Sequence, residues 1–253
     1  MGTLDPMAEG VLPVGVGQAS RLFQYLLDKQ KTYVARFIFG YSTDTLDVTG
    51  QETERTNKVP SLEEIKKVMA KFVGEIDQIP PKYSAKCIDG KRGYQLARKG
   101  VDFELAPKKV TILSAEVLGQ VDENEFEFKF TCKGGTYIRS ICRDLAKSLN
   151  TFATMTALKR IKSGAFSIEN CINEEDILKI KDLNRLLIKP DSVLTLDKIT
   201  LSEKDYIELI NGRPFVADYK DGTYSVYSHL NEFVGVGILT DKKIKIKAFI
   251  KDL

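Results

Sequence analysis

The sequence predicts an α+β protein, built on a mixed or antiparallel sheet and completed by a small β-rich C-terminal module. Strand-like segments follow one another with only scattered helices, whereas a doubly wound α/β fold would alternate the two regularly. The texture of the chain changes near Lys189-Pro190-Asp191, and short strand-like pieces dominate afterwards. We therefore divide the chain into a domain of residues 1–190 and a second domain of residues 191–253.

Three segments of the first domain are predicted strands. Residues 31–39 (KTYVARFIF) alternate and are rich in aromatic and β-branched residues. Residues 110–118 (VTILSAEVL) are also predicted to form a strand. Further along, Phe126, Phe128 and Phe130 alternate with charged residues, which predicts a strand with one buried face.

Two helices are predicted in the same domain. Ser61 and Glu64 form a capping box at the start of the first helix, and Gly74 ends it. The second helix follows a turn at Gly134-Gly135. Apolar residues recur at helical spacing in both: Leu62, Ile65, Met69 and Phe72 in the first, and Ile138, Ile141, Leu145 and Leu149 in the second.

The C-terminal module is predicted to contain one short helix and several strands. The helix starts at Ser202 and runs through Asn211, where Gly212 is placed to stop it. Strand-like pieces follow at residues 224–228, 233–239 and 244–250.

The composition of the chain limits the kinds of active site and partner that it can have. The 253 residues carry a net charge of only +3, so a polyanionic partner would have to meet a local basic patch. The 4 cysteines are scattered and form no C-x2-C pair, and His229 is the only histidine. We therefore expect no metal site, no disulfide framework and no Ser-His-Asp triad. No apolar run approaches the ~18 residues of a transmembrane helix and no signal peptide opens the chain, so a cytoplasmic protein is expected.

The first residues, Gly2-Thr3-Leu4-Asp5-Pro6, hold the most informative acid. Proline fixes its own φ and restricts the residue before it, so the carboxylate of Asp5 is well positioned. Taken alone, an aspartate beside proline predicts a plain turn residue. With no histidine or metal cluster beside it, it suits a carboxylate nucleophile, which Arg139 could keep ionised and oriented.

A basic stretch between residues 79 and 100 is interleaved with Tyr83 and Tyr94. Such a pattern suits a nucleic-acid surface, where cations meet phosphates and rings stack on bases. A solvated loop is the alternative. Likewise, Tyr33 could be a core residue of its strand, Asp44 and Asp47 turn residues, and Arg139 a surface residue at a helix start.

Several segments of the chain form a pattern when they are taken together and in order. They are GTLDPMAEGVLPV at the start, KTY at 31–33, TDTLD at 43–47, IPPKYSAK at 79–86, GGTYIRS at 134–140, LKR at 158–160, and LLIKPDSVLTL and NGRPF in the tail. In this order they closely resemble the bacterial tRNA pseudouridine-55 synthases (the TruB type), and the resemblance covers essentially the whole chain.

The resemblance implies isomerisation of uridine 55 to pseudouridine in the TΨC loop of tRNA. Asp5 would attack the flipped-out nucleoside, at C1′ or C6; Tyr33 would stack on the base; and Arg139 would pair with the carboxylate. Tyr137 and Leu158 would line the base pocket, with Asp47 as nearby support. Further residues would grip RNA: Lys86, Lys91 and Arg92, in an insertion at about 79–106, and Lys159 and Arg160.

The resemblance also implies a pseudouridine synthase catalytic domain, a PUA-like RNA-binding tail and a monomer that binds the tRNA T-arm. No cofactor is expected, because isomerisation neither gains nor loses atoms.

The match departs from the family at one place. Relatives of this type carry a further N-terminal segment with a D-K-P-x-G-x-T-S string and a histidine before the G-T-L-D-P motif. Here the motif begins at residue 2. We therefore expect an N-terminally truncated catalytic domain with an exposed sheet edge. Two alternatives stay open: a non-catalytic tRNA-binding or RNA-folding protein, and a hydrolase using Asp5 with Asp44 or Asp47.

Overall fold

The computed structural model describes residues 2–26, 30–84, 86–88 and 90–250. Its contacts divide the chain into two compact units. The first unit holds residues 2–12 and 30–171, and the second holds residues 13–26 and 172–250. The parts of the predicted domains at residues 1, 27–29, 85, 89 and 251–253 lie outside the described residues.

The first unit contains eleven strands and three α-helices among the described residues. In chain order these are β1 (Glu9–Gly10), β2 (Lys31–Phe39), β3 (Tyr41–Thr43), β4 (Glu52–Arg55), α1 (Leu62–Met69), β5 (Gly74–Gln78), β6 (Cys87–Ile88), β7 (Lys91–Arg92), α2 (Gly93–Arg98), β8 (Lys108–Asp122), β9 (Glu125–Cys132), α3 (Ile138–Ser148), β10 (Ala153–Ser163) and β11 (Phe166–Ser167).

A 7-stranded sheet forms the frame of this unit, in the order β1-β10-β2-β9-β8-β5 with β11 paired to β10. Its neighbouring strands are antiparallel except for β1, which runs parallel to β10. The sheet is therefore mixed, which confirms the predicted fold class. Two separate hairpins, β3-β4 and β6-β7, complete the strands.

α1 and α3 cover one face of the sheet, and the core lies between these helices and the sheet. The alternation of β9 places Phe126, Phe128 and Phe130 on that face, each almost fully buried. Phe37 of β2 meets this row, with its ring centroid 4.6 Å from that of Phe128. The same alternation along β2 buries Tyr33 and carries it to the end of the sheet nearest β1.

The tightest backbone approach in this sheet is at Gly10, where β1 meets β10. Gly10 has φ +108°, and a Cβ there would lie 2.3 Å from the Arg160 carbonyl oxygen. We expect Gly10→Ala to destabilise the protein by about 2–4 kcal/mol, the sum of backbone strain and a steric clash. Urea denaturation would measure it as a lower midpoint at unchanged m-value.

Gly74 is the matched control for that substitution. Its φ is +112°, yet a Cβ there would have no heavy atom within 4 Å. Gly74→Ala therefore incurs backbone strain alone and should cost about 1–3 kcal/mol. Equal losses for the two variants would contradict the close approach of β1 to β10.

The second unit contains a 5-stranded sheet and two α-helices among the described residues. Its elements are α4 (Glu174–Ile177), β12 (Asp197–Thr200), α5 (Glu203–Ile210), β13 (Phe215–Val216), β14 (Gly222–Tyr227), β15 (Phe233–Thr240) and β16 (Lys243–Phe249), with the sheet order β12-β14-β15-β16-β13. Ser202 caps α5 by accepting from the Asp205 amide at 3.2 Å. A 3₁₀ helix at Gly17–Tyr25 joins this unit, since Leu22 packs against Val236, Ala248 and Ile250.

Several local predictions are confirmed. The strand at residues 31–39, the capping box at Ser61 and Glu64, and the helix after Gly134-Gly135 are all present. Between residues 79 and 100, predicted as loop, the structure adds the short helix α2 and the hairpin β6-β7. The predicted division at residue 190 differs from the grouping by contacts, which assigns residues 13–26 and 172–190 to the second unit.

One long strand escaped prediction. β10 has the sequence ATMTALKRIKS, in which charged residues interrupt the apolar alternation and register shifts occur near Ala157 and Lys162. It nevertheless lies between β1 and β2, and buries both Leu158 and Arg160. Among the residues that the structure describes, no helix has the length and apolar character needed to cross a membrane.

Candidate active site

Asp5 lies at the first position of a tight turn. The Ala8 amide donates to the Asp5 carbonyl at 2.9 Å, and Pro6 occupies the second position, where its fixed φ is favoured. β1 follows directly and anchors the turn to β10, with the Val11 amide donating to the Arg160 carbonyl at 2.8 Å. The local sequence thus holds the Asp5 carboxylate, 29% exposed, at the sheet edge.

Arg139 meets this carboxylate from the first turn of α3. Its guanidinium donates to Asp5 at 2.7 Å and also to the carbonyls of Thr45, at 3.0 Å, and Tyr83, at 3.1 Å. Only 6% of the Arg139 side chain is exposed, so these contacts form largely out of solvent. A charge-assisted bond in such surroundings fixes the orientation of the carboxylate.

Asp47 lies on the other side of Arg139, 3.5 Å from the guanidinium and 3% exposed. Its other oxygen accepts from the Thr45 hydroxyl at 2.8 Å and from the Thr49 amide at 3.0 Å. Leu46, between Thr45 and Asp47, has φ +66°, an uncommon left-handed conformation for a non-glycine residue. The turn thereby brings both the Thr45 carbonyl and the Asp47 carboxylate to Arg139.

The start of α3 is held by a buried glutamine. Gln78, 1% exposed at the end of β5, accepts from the Tyr137 amide at 2.8 Å and donates to the Tyr137 carbonyl at 3.1 Å. Ser140 donates to the Ile79 carbonyl at 2.8 Å. These bonds fix the segment after β5, including Tyr83, against the helix that carries Arg139.

The electrostatics of Asp5 reflect a balance. Burial raises the pKa of the Asp5 carboxyl above its usual value, and the nearby Asp47 carboxylate raises it further. The charge and hydrogen bond of Arg139 act in the opposite direction without outweighing burial. In this pair, Arg139 fixes the orientation of the Asp5 carboxylate by donating to it. Burial makes that carboxylate more basic than the carboxylate of an exposed aspartate.

Tyr33 lies on β2, in register with Arg160 of β10. Burial raises the pKa of its hydroxyl to about 12, with Asp5 among the groups that raise it and Arg160 among those that lower it. The hydroxyl therefore keeps its proton near neutral pH. Leu158, in register with Ala35, belongs to the same buried cluster as Tyr33.

The residues assigned to RNA binding are dispersed. Lys91 and Arg92 are exposed on β7, and Lys86 is half-buried beside that hairpin. Lys159 is exposed and pairs with Glu9 at 3.0 Å. Arg160 differs from all of these because it is 2% exposed and its guanidinium donates to backbone carbonyls.

Sequence reasoning missed the residues that support Arg139. Thr45 and Tyr83 contribute backbone carbonyls, which any residue type supplies, so no sequence signal could have assigned them. Gln78 follows Glu75 and Asp77 in a polar segment, and nothing in the sequence distinguishes it from them. Among the described residues, no three His, Cys, Asp or Glu side chains are grouped as a metal site.

Comparison with known proteins shows the family of the chain. A family model described as "TruB family pseudouridylate synthase (N terminal domain)" matches residues 1–138, and one described as "tRNA pseudouridylate synthase B C-terminal domain" matches residues 139–198. A "tRNA pseudouridine synthase B" from Clostridium kluyveri is 37% identical, with 98% of this chain and 88% of the relative covered. One from Clostridium novyi is 38% identical over the same shares, 98% and 88%.

Solved structures give the same result for the fold. A chain from "Crystal Structure of a Cbf5-Nop10-Gar1 Complex" superimposes with a TM-score of 0.69 at 25% identity, covering 99% of this chain and 74% of that one. Together, the fold and sequence matches show that the chain is an enzyme of the pseudouridine synthase class, whose members are isomerases. Within that class the chain belongs to the TruB family, as the match over more than half of its length shows.

Proposed function

We propose that this protein converts uridine 55 in the T-arm of tRNA to pseudouridine, with Asp5 as the nucleophile. The observation that carries the proposal is the Asp5–Arg139 pair, a positioned carboxylate 2.7 Å from a buried guanidinium. The relatives named tRNA pseudouridine synthase B support tRNA as the substrate.

The proposed reaction is an isomerisation that needs a nucleophile and a held base. The C1′–N1 bond breaks, the base rotates, and a C1′–C5 bond forms while C5 loses a proton and N1 gains one. No atoms enter or leave overall, so no cofactor is needed. Attack by Asp5 at C1′ or at C6 is compatible with this balance, and in both cases Arg139 would hold the attacking oxygen in place.

The other site residues take supporting roles in the proposal. Flipping the target base out of its stack costs a few kcal/mol, which contacts in the pocket must offset. Tyr33 would supply an aromatic surface beside Asp5, and Tyr137 and Leu158 apolar contacts. The protonated hydroxyl of Tyr33, with its pKa of about 12, favours stacking and hydrogen-bond donation over a role as general base.

Binding of the rest of the RNA is assigned to exposed cations. Lys86, Lys91, Arg92 and Lys159 would contact phosphates, so affinity for tRNA should fall as salt rises. The C-terminal sheet would act as the PUA-like RNA-binding domain.

Tritium release tests the substrate and the site together. Forming the C1′–C5 bond expels the hydrogen at C5, so tRNA transcribed with [5-³H]uridine should lose label to water on incubation with the protein. A transcript with uridine 55 replaced by cytidine should release none, while a transcript with an anticodon-loop uridine replaced should behave as the parent does.

Three outcomes separate the hypotheses. Release that persists without uridine 55 would overturn the assignment of the site. Tight, salt-dependent binding of tRNA with no release would favour the non-catalytic RNA-binding alternative. Cleavage of a glycosidic substrate without tritium release would favour the hydrolase.

A further inference from the structure

We propose that Arg160 is a positioning residue that fixes both ends of the Asp5 turn, and that it makes no contact with RNA. This proposal rests on the proposed function for its kinetic consequence, and on geometry alone for its structural one. It replaces the RNA-binding role that the sequence suggested for Arg160.

The guanidinium of Arg160 bonds to the chain on both sides of Asp5. Its Nε donates to the Val11 carbonyl at 2.7 Å, and both terminal nitrogens donate to the Gly2 carbonyl at 3.1 Å. Gly2 and Val11 bracket the turn in which Asp5 lies. One rigid, planar group therefore bonds to the chain on both sides of the proposed nucleophile.

The side chain of Arg160 is almost completely buried. Arg160 is among the largest fully buried side chains of the described residues, and an arginine is seldom buried to this extent unless its donors are satisfied. Its three guanidinium nitrogens are all engaged with backbone oxygens. A side chain so placed cannot present its charge to a phosphate without leaving these partners. Lys159, its neighbour on the opposite face of β10, is exposed, and its ion pair with Glu9 lies at the surface.

Arg160 lies between β1 and β2 in the sheet. In the sheet register, Arg160 lies opposite Tyr33 on one side and opposite Gly10 on the other. Arg160 also lowers the pKa of Tyr33, through its charge and a hydrogen bond. The same residue thus connects the strand that carries the proposed stacking ring to the segment that carries the proposed nucleophile. Displacing a reacting group by ~1 Å can cost about 10²-fold in rate.

Substitution at Arg160 tests the proposal kinetically. Arg160→Lys keeps a cation but cannot reach both carbonyls with a planar fork. We expect its single-turnover rate of tritium release to fall by about 10²-fold while Kd for tRNA and its salt dependence stay unchanged. If Arg160 contacted a phosphate, the charge-removing variant Arg160→Gln would weaken Kd and lower the salt slope by about one, and the rate at saturating tRNA would be retained. That second result would overturn the proposal.

Hydrogen exchange followed by mass spectrometry tests it without any activity. Peptides covering residues 2–12 should lose protection in Arg160→Lys, while peptides of β2 and β9 keep theirs. Lys162→Gln is the matched control, an exposed lysine of the same strand whose loss should leave residues 2–12 protected. Unchanged protection in Arg160→Lys, or a uniform loss across the sheet, would overturn the local role.

The two tests also separate this proposal from the proposed function. If the wild-type protein released no tritium from any tRNA, the proposed function would fail, and hydrogen exchange would still decide whether Arg160 fixes the turn. Arg160→Gln, which keeps a neutral amide NH2 group but no charge, would show in the same experiment whether the hydrogen bonds or the cation matter.

Discussion

Asp5→Asn is expected to reduce the single-turnover rate of tritium release by about 10⁴-fold or more, with little change in tRNA affinity. The substitution preserves the shape of the side chain and removes the nucleophilic oxygen. The Ala8–Asp5 backbone bond and the Arg160 contacts do not involve the carboxylate, so the turn should persist.

The same variant should be slightly more stable than the wild type at neutral pH. Because the pKa of Asp5 is raised on folding, the unfolded chain ionises this group more readily, and ionised Asp5 opposes folding above its folded-state pKa. The difference should vanish below the unfolded pKa, where Asp5 is neutral in both states. Thermal unfolding at neutral and acidic pH would measure it as a higher Tm of the variant at neutral pH only.

Asp77→Asn is the matched control for the rate measurement. Asp77 lies exposed on β5, at the opposite edge of the sheet from β1, and the substitution is chemically the same. We expect it to leave the rate of tritium release unchanged. Substantial turnover by Asp5→Asn would remove Asp5 from the nucleophilic role.

Arg139→Gln should lower the rate by about 10²- to 10³-fold, the usual cost of losing one preorganised charge at a reacting centre. The variant should also move the acid limb of the pH–rate profile. Arg139 lowers the pKa of Asp5, so removing its charge should raise that pKa further. Activity would then be lost at a higher pH as the solution is acidified, because Asp5 must be ionised to attack.

Two further variants make the Arg139 test specific. Arg139→Lys restores the charge without the planar fork, so its acid limb should return toward the wild type while its rate stays low. Arg143→Gln, one helical turn along α3, removes a guanidinium that bonds to Asp144 and to the Ile79 carbonyl rather than to Asp5. It should leave the acid limb in place. An acid limb unmoved in Arg139→Gln would contradict the coupling between Arg139 and Asp5.

Local sequence determined much of this protein. The alternation in residues 31–39 and 125–132, the capping box at Ser61 and the glycines before α3 each encode an element through neighbours along the chain. The turn at Asp5-Pro6 is encoded in the same way, because proline fixes φ without help from distant residues. The fold class followed from the order of these elements.

The partners of the site residues were decided only by the tertiary structure. Arg139 finds Asp5 134 positions away, and Gln78 meets Tyr137 59 positions away. Such pairings depend on sheet order, and the strand that sets it, β10, carries too little alternation to be recognised. Arg160 is the clearest case: in sequence it is one of two adjacent cations, and only the two faces of a strand separate the exposed Lys159 from the guanidinium buried beneath the Asp5 turn.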